Sequence, residues 1–260
     1  MKKVLIVVLL VIVAGVAGII RSASKCWGEH RSEMRQSYQL ASGGHVEVAS
    51  INGSVEVQTT DGNTAEVDII STAQGCEDVD SHQVTIEATP STLTVRGEQR
   101  NGWNFWKYLW GGHVSQQVVL KVPRQIDLVV KGVNGKVTTG AVNGSIQIKG
   151  VNGQVEAAQS AGAVDVSGVN GGVSVGLNQI NEHGLRVHGV NGGIEIRLGQ
   201  GVNADLSAHG INGSVRSDAP DITVEKEPHG SKFSAHIGAG GAPIDISGVN
   251  GGVHLTRNAG

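Results

Sequence analysis

The chain has 260 residues, which suffices for one large all-β domain or two small ones. Its 39 glycines are about twice the ordinary share, and aromatic residues make up only 3% of the chain. No Gly-x-y period appears and valine and isoleucine recur throughout, so the composition is neither collagen-like nor that of a disordered chain. The net charge is -3 and the basic residues are scattered, so we expect no nucleic-acid partner.

The N-terminal segment 1–24 stands apart from the rest of the chain. Two lysines precede the apolar run Val4–Ile20, and Arg21 closes it. As a helix this run spans about 26 Å, a little less than the ~30 Å hydrocarbon core of a bilayer. The length slightly favours a retained membrane anchor, while the small residues at 22–24 permit a cleaved signal peptide. Both interpretations export the remainder of the chain to the cell envelope.

Residues 25–37 are polar and charged, which predicts a juxtamembrane spacer. Cys26 and Cys76 could pair in an oxidising compartment, and the sequence leaves open whether they do. No Cys-x-x-Cys motif exists, and nothing in the sequence indicates a cofactor.

Residues 38–127 predict an N-terminal β region of antiparallel strands. Apolar and polar residues alternate, as in Val46-Glu47-Val48, and turn residues such as those at 60–63 separate the alternating runs. An insertion rich in aromatic residues interrupts this region at 101–112.

From residue 128 to the end, a short unit recurs in which an apolar residue, Asn, Gly and any residue precede Val or Ile. The steps between its copies are nine, nine, 18, 21, 21 and 38 residues, and we interpret the last step as about two repeats. A fixed period near about 20 residues is typical of a solenoid. The asparagines are Asn134, Asn143, Asn152, Asn170, Asn191, Asn212 and Asn250, with one early copy at Asn52.

A meander of hairpins is the rival interpretation, because Asn-Gly is also the strongest two-residue hairpin signal. Its strands would carry internal glycines such as Gly140 and Gly150, which strands disfavour. The residues therefore favour an all-β fold with a β-solenoid over residues 128–260.

In such a solenoid the equivalent residues of successive repeats form columns. The apolar column would be internal and contain Val133, Val151, Val169, Val190 and Ile211. The asparagine column would be a ladder of buried amides, each donating to one neighbour and accepting from the other. The ladder residues are Asn134, Asn152, Asn170, Asn191, Asn212 and Asn250.

The strand Val118–Pro123, the apolar run at 128–130 and the motif Gly132–Val137 together resemble the bacterial putative-adhesin family, whose function is unknown. The resemblance extends over roughly residues 38–257. It implies a β-solenoid and an envelope location, and it implies no catalytic residue.

The insertion at 101–112 is a candidate contact surface, because aromatic side chains bury much area at little entropic cost. It could cap the open end of the solenoid, lie at the bilayer interface, or bind a protein or glycan partner. Its aromatic residues are Trp103, Phe105, Trp106, Tyr108 and Trp110.

Other candidate sites are weaker. His188 and His209 precede equivalent motifs and should stack on neighbouring repeats, but no third metal ligand is evident, so we expect no metal site. The acidic loop around Glu77 and His82 is better explained as a solvated loop. The dinucleotide-like pattern at 199–204 lacks a strand-turn-helix setting.

We therefore predict a non-enzymatic envelope protein that contacts the membrane through its N-terminal helix. Its rigid solenoid would serve adhesion or binding of a protein or glycan partner. One alternative is a scaffold of the envelope that self-associates through the solenoid ends. Another is a carbohydrate-active β-helix enzyme, which would show carboxylates clustered along one external groove.

Overall fold

The computed structural model describes residues 29–74, 82–99, 114–227 and 232–257. Over these ranges the chain forms 21 strands in two mixed sheets and no helix. No helix long and apolar enough to cross a membrane occurs among these residues, and the expected anchor at 1–24 lies outside them. Cys26, Cys76 and the insertion at 101–112 also lie outside the described ranges.

The strands are named in chain order. They are β1 Glu29–Gln39, β2 Gly44–Ala49, β3 Gly53–Thr60, β4 Thr64–Gln74, β5 His82–Ala88, β6 Thr92–Gln99, β7 Val114–Pro123, β8 Ile126–Val133, β9 Val137–Val142, β10 Ile146–Val151, β11 Val155–Ser160, β12 Val164–Val169, β13 Val173–Leu177, β14 Leu185–Val190, β15 Ile194–Leu198, β16 Ala204–Ile211, β17 Val215–Ser217, β18 Val224–Lys226, β19 Phe233–Ile237, β20 Ala242–Val249 and β21 Val253–Arg257.

Two sheets share one hydrophobic core. Sheet A has the order β1-β4-β7-β3-β9-β11-β13-β15-β21-β17, and sheet B has the order β18-β19-β16-β20-β14-β12-β10-β8-β2-β6-β5. Side chains alternate along most strands between buried and exposed, as in β8, so each sheet turns one apolar face to the core. Val and Ile dominate this core because β-branched side chains pack well on a pleated surface.

From β8 to β17, and again over β20 and β21, the chain alternates between sheet B and sheet A, and we call one sheet B strand with its following sheet A strand a repeat. Successive repeats pair in parallel: Ile146 lies beside Leu128 on one side and Val164 on the other. The same register continues from Val164 to Leu185. The 18- and 21-residue steps of the sequence are therefore the distances between paired strands.

The corner within each repeat needs glycine for two different reasons. In the corner around Asn170, Gly168 has a φ of 62°, a left-handed conformation that glycine adopts without steric cost. Gly171 is required by space, because a Cβ there would lie 2.1 Å from the carbonyl oxygen of Gly153. In the early copy Ser50 takes the left-handed position, with a φ of 57°.

The repeats do not stack in chain order at the C-terminal end. The last repeat, β20 and β21, pairs on one side with β14 and β15 and on the other with β16 and β17. Val249 therefore lies between Val190 and Ile211 in the apolar column. The interpretation of the 38-residue step as about two repeats is wrong, because β20 pairs directly with β16 and the chain inserts its last repeat beside it.

A loop at 238–241 carries the chain into this inserted repeat, and Asp205 fixes it. The Asp205 carboxylate accepts a hydrogen bond from the Gly241 N–H at 2.9 Å and contacts His236 Nδ1 at 2.6 Å. Both hydrogen bonds lower the pKa of Asp205, and the one from the Gly241 N–H has the larger effect. β19 precedes the loop and runs antiparallel to β16, so β16 has partners on both edges.

The N-terminal end shows the same departure from chain order. β2 and β3 lie between β8 and β9 on one side and β6 and β7 on the other, and all these pairings are parallel. The expectation of purely antiparallel strands before residue 128 is thus wrong in part. Among the described strands of that region, the antiparallel pairs are β1 with β4, β4 with β7, and β5 with β6. The core is continuous across residue 128.

Strand β1 covers residues 29–39, most of the segment 25–37 that the sequence predicts to be a spacer. Residues 31–37 are exposed on both faces, so no apolar alternation marks this strand. At the other end of the stack, Ile222 and Phe233 cover the core and are buried, although Arg216 in β17 stays exposed.

Candidate functional site

The asparagine side chains form a continuous hydrogen-bonded ladder along one edge of the stack. Each amide after Asn52 donates to the side-chain oxygen of its neighbour at 2.9–3.0 Å, as Asn170 does to Asn152, and Asn52 itself donates to the Val114 carbonyl oxygen at 2.7 Å. The order is Asn52, Asn134, Asn152, Asn170, Asn191, Asn250 and Asn212.

This ladder differs from the expected one in two respects. Asn250 and not Asn212 bonds to Asn191, because the last repeat is inserted. The ladder is also exposed to solvent and not buried, since each asparagine follows the last inward-facing residue of its strand. Asn143 lies at the opposite corner, after β9, and is not part of it.

A groove of about 620 Å³ lies beside the ladder, on the outer face of sheet A. It crosses β13, β15 and β21, which are neighbours in space although β21 comes last in the chain. Its floor contains Gly172, Gly193 and Gly252, each the residue that follows an Asn-Gly pair.

The fold does not demand Gly172 or Gly193, whereas a Cβ at Gly252 would lie 3.3 Å from the Ser214 carbonyl oxygen and would require a small shift of that neighbour. A Cβ at Gly193 would lie 3.8 Å from its nearest neighbour, which is ordinary contact, and one at Gly172 would also be 3.8 Å away. By contrast, Gly192 has no room, because a Cβ there would lie 2.2 Å from the Gly171 oxygen. In other repeats Gln154 and Ser214 occupy the floor position, so side chains are accepted there. The bare floor exposes backbone that a bound molecule could approach closely.

Polar side chains line the wall of the groove. Ser174 and Glu195 lie on adjacent strands, and the Ser174 hydroxyl donates to Glu195 Oε2 at 2.9 Å. His254, next to Glu195 in the register, lies with its Nε2 2.8 Å from Asp218 Oδ2. Arg216 pairs in register with His254 and completes the lining on that side.

This arrangement can exchange several hydrogen bonds with a polar ligand. Two carboxylates, one guanidinium and one imidazole face the same space, so both donors and acceptors are present. The Ser174 hydroxyl is bonded to Glu195 and, among the described residues, no hydrogen bond joins Ser174 to His254. The pairs Ser174–Glu195 and His254–Asp218 are therefore not joined by the hydrogen bond from nucleophile to base that a hydrolytic triad has.

The predicted stacking of His188 on His209 is wrong. Ser247 lies between them, because the inserted strand β20 pairs with both β14 and β16. His188 Nδ1 is instead 3.9 Å from Asp165 Oδ1. Within the described part of the chain, no three His, Cys, Asp or Glu side chains are grouped as metal ligands.

The other candidates from the sequence are distributed as follows. The aromatic residues Trp103, Phe105, Trp106, Tyr108 and Trp110 lie outside the described ranges. The acidic loop does too, except for His82 at the start of β5. The pattern at 199–204 joins β15 to β16 without a helix. Sequence reasoning missed the groove, although its signal was present in the Gly-Gly doublets at 171–172, 192–193 and 251–252.

No protein-family model and no curated protein matches the chain significantly. Among solved structures, a putative cell adhesion protein from Clostridium sporogenes is 10% identical, with 88% of this chain and 100% of that chain covered and a TM-score of 0.47. A putative adhesin from Bacteroides fragilis is 11% identical, covering 87% and 97%, with a TM-score of 0.34. A putative lipid binding protein from Parabacteroides distasonis is 9% identical, covering 87% and 97%, with a TM-score of 0.26.

The resemblance to bacterial putative adhesins seen in the sequence thus recurs in the names of structurally similar proteins. At identities of about 10% and TM-scores of 0.47 or lower, this likeness assigns no function to the chain.

Proposed function

We propose that the chain is a non-enzymatic protein of the bacterial cell envelope whose body is a β-solenoid that presents a rigid surface for adhesion. The parallel register between successive repeats supports the solenoid. Backbone pairing and the asparagine ladder tie each inner repeat to both neighbours, so surface groups keep fixed relative positions. A preorganised surface of this kind lowers the entropic cost of binding a partner.

The envelope location is proposed from residues 1–24, which have the charge and apolar length of an export segment. We propose that this segment is retained as a helical membrane anchor and that the body is extracytoplasmic. Full-length protein should then stay with the membrane fraction after a high-salt wash, whereas residues 25–260 alone should be released.

The observation that carries the binding proposal is the groove over Gly172, Gly193 and Gly252. At Gly172 and Gly193 its floor lacks side chains that the fold would accept, and its wall offers paired polar groups. Such a surface suits a polar partner that approaches the backbone closely. Both an extended protein segment and a glycan can do so. The groove volume is in the range usual for ligand sites.

A pair of matched variants tests the groove. Gly193→Gln fills the floor with the side chain that Gln154 already carries at the equivalent position. Ser54→Gln introduces the same side chain at the same motif position but outside the groove. In a glycan-array and protein pull-down experiment, Gly193→Gln should lose the captured partner while Ser54→Gln and the unchanged protein retain it. Equal capture by all three would refute the groove as the binding site.

The aromatic residues Trp103, Phe105, Trp106, Tyr108 and Trp110 are proposed as a second contact, with either a partner or the bilayer. Residues 25–260 should be mixed with lipid vesicles and the bound fraction compared with that of the Trp106→Ala variant. Vesicle binding that disappears in the variant supports a bilayer contact, and absence of binding by the unchanged protein contradicts it.

A carbohydrate-active enzyme is a second candidate, because Glu195 and Asp218 place two carboxylates along one external groove. Glycoside hydrolysis needs one such group as an acid and the other as a base or nucleophile. Release of new reducing ends from polysaccharides that is abolished by both Glu195→Gln and Asp218→Asn would favour this function. Binding without any release of reducing ends would favour the non-enzymatic one.

A further inference from the structure

Strand β1 is a long edge strand. It pairs with β4 over all eleven of its residues and is the first strand of sheet A, so its second edge has no partner strand among the described residues. Residues 31–37 are exposed on both faces, and Met34 is 39% exposed. Unpaired backbone along an edge strand is a template for pairing with another chain.

The charges on β1 alternate in sign along one face. Arg31, Glu33 and Arg35 follow one another at two-residue intervals, and position 29 is also a glutamate. Their side chains are exposed by 56%, 61% and 74%, for Arg31, Glu33 and Arg35 respectively. Within the chain, Arg31 Nη2 lies 2.6 Å from Glu33 Oε1 and Arg35 Nη2 lies 2.6 Å from Asp68 Oδ2, and these exposed groups would also meet a second copy. Side chains two residues apart share a face of the sheet. If a second, antiparallel β1 lies alongside so that Arg31 is opposite Glu33, every arginine on this face meets a glutamate.

We propose that two copies of the chain associate by pairing β1 with β1 in antiparallel fashion, about a twofold axis through Ser32. In this register Arg31 lies opposite Glu33 of the second copy, and Arg35 lies opposite position 29. On the other face Met34 lies opposite His30, so the exposed thioether gains an apolar contact.

Neighbouring registers fit the charges less well. An axis through Glu33 would set Glu33 against its own copy and Arg31 against Arg35, both pairs of like charge. An axis through Met34 would pair Glu33 with Arg35 but leave Arg31 opposite Ser37. Like charges directly opposite each other destabilise a sheet and opposite charges stabilise it, so the pattern selects the axis through Ser32.

The partner is a second copy because the complementarity is with β1 itself. A twofold contact uses the free edge of both chains at once, so it closes after two copies and forms no fibre. The pairing would join two sheets A into one continuous sheet and leave the groove at the far end of each stack accessible. This inference is independent of what the groove binds.

Cysteine cross-linking in the full chain, solubilised in mild detergent, tests the register. In a Cys26→Ser, Cys76→Ser background, Ser32→Cys brings its two sulfurs to the axis, where directly opposite Cα atoms about 4.5–5.5 Å apart satisfy disulfide geometry. Ser37→Cys is the matched control, because its two copies would be about 33 Å apart at about 3.3 Å per residue. Under mild oxidation Ser32→Cys should give a covalent dimer and Ser37→Cys should not. Equal cross-linking of both, or none at Ser32→Cys, overturns the proposal.

A charge swap tests the pairing without cysteines. Arg31→Glu alone and Glu33→Arg alone should each raise the dissociation constant, measured by sedimentation, at least tenfold. The double variant restores opposite charges across the axis and should return to within about threefold of the unchanged protein. A monomeric unchanged protein at high micromolar concentration, or a double variant as weak as the singles, contradicts the assigned register.

Discussion

The side-chain amide of Asn250 donates a hydrogen bond to Asn191 at 2.9 Å, although the two residues are 59 positions apart. Asn212, only 21 positions from Asn191, bonds to the far side of Asn250. The last repeat of the chain is therefore an inner layer of the stack, and strands from earlier in the chain form its outer layer.

Hydrogen exchange should reveal this layering. The amides of Ile246 in β20 and His254 in β21 donate to inner neighbouring strands, whereas β17 is the last strand of sheet A. Under native conditions we expect those amides to exchange at least tenfold more slowly than the amide of Arg216 in β17, because inner strands open only with larger units. Faster exchange in β21 than in β17 would contradict the inserted position.

The asparagine ladder should contribute modestly to stability, because it is exposed. Asn170→Ala removes two amide hydrogen bonds and should lower the free energy of unfolding by about 1 kcal/mol. Asn212→Ala removes one and should cost about half as much. Urea unfolding measures both, and Asn143→Ala at the opposite corner is the control. A ladder variant that matches this control would argue against any stabilising role of the amides.

Two adjacent glycines should respond oppositely to alanine. Gly192→Ala places a Cβ 2.2 Å from the Gly171 oxygen, so neighbouring backbone must shift and the variant should lose about 2 kcal/mol or more. Gly193→Ala meets its nearest atom at 3.8 Å and should be neutral or stabilising by about 0.5 kcal/mol, because alanine restricts the unfolded chain. Thermal and urea unfolding of the two variants provide the comparison. Similar losses in both would mean that the groove floor needs glycine for the fold.

Acid should weaken the protein partly through Glu47. Its carboxylate on β2 accepts hydrogen bonds from Lys131 on β8 at 2.8 Å and Arg96 on β6 at 3.3 Å. The bond from Lys131 is the main cause that lowers the pKa of Glu47 below its ordinary value of 4.5. A lowered folded-state pKa means that this stabilisation is complete above about pH 4.5 and is lost as pH falls through the folded pKa.

The measurement is urea unfolding at several pH values between 7 and about 3 for the unchanged protein and Glu47→Gln. Asp127 and Asp221 also have lowered pKa values, from hydrogen bonds with Ser145 and Arg257 respectively, so both proteins should weaken in acid. The unchanged protein should weaken more steeply, and the two curves should converge at the acidic end. Parallel curves would show that Glu47 contributes nothing to the pH dependence.

The spacing of the repeated motif in the sequence predicts much of the strand pairing in this fold. The spacing from Asn134 to Asn152 equals the spacing between paired strands, because one register relates every pair of neighbouring repeats. Spacing alone could not decide where Asn250 stacks, since its corner has the same motif as all the others. That choice depends on the antiparallel strand β19 and its loop, whose pairing is set by tertiary contacts.

Strand β1 and the groove could not be predicted from the sequence, for physical reasons. β1 is polar on both faces, so it lacks the alternation by which a half-buried strand is recognised. The groove depends on the difference between Gly192 and Gly193, which look alike in the sequence and differ only in the space around each Cα. Whether the backbone requires a glycine depends on the atoms that surround it in the folded chain, which neighbouring sequence does not give.

The inner position of β21 has a mechanical consequence. If the N-terminus is held in a membrane and a bound partner pulls near the C-terminus, the load falls on a strand that is paired in parallel with β15 and with β17. Detaching β21 therefore requires breaking its backbone hydrogen bonds to β15 and to β17 together, and not those to a single neighbour one after another. The inserted repeat thus makes β21 harder to detach by force than an outer strand such as β17, which among the described strands has a neighbour on one side only.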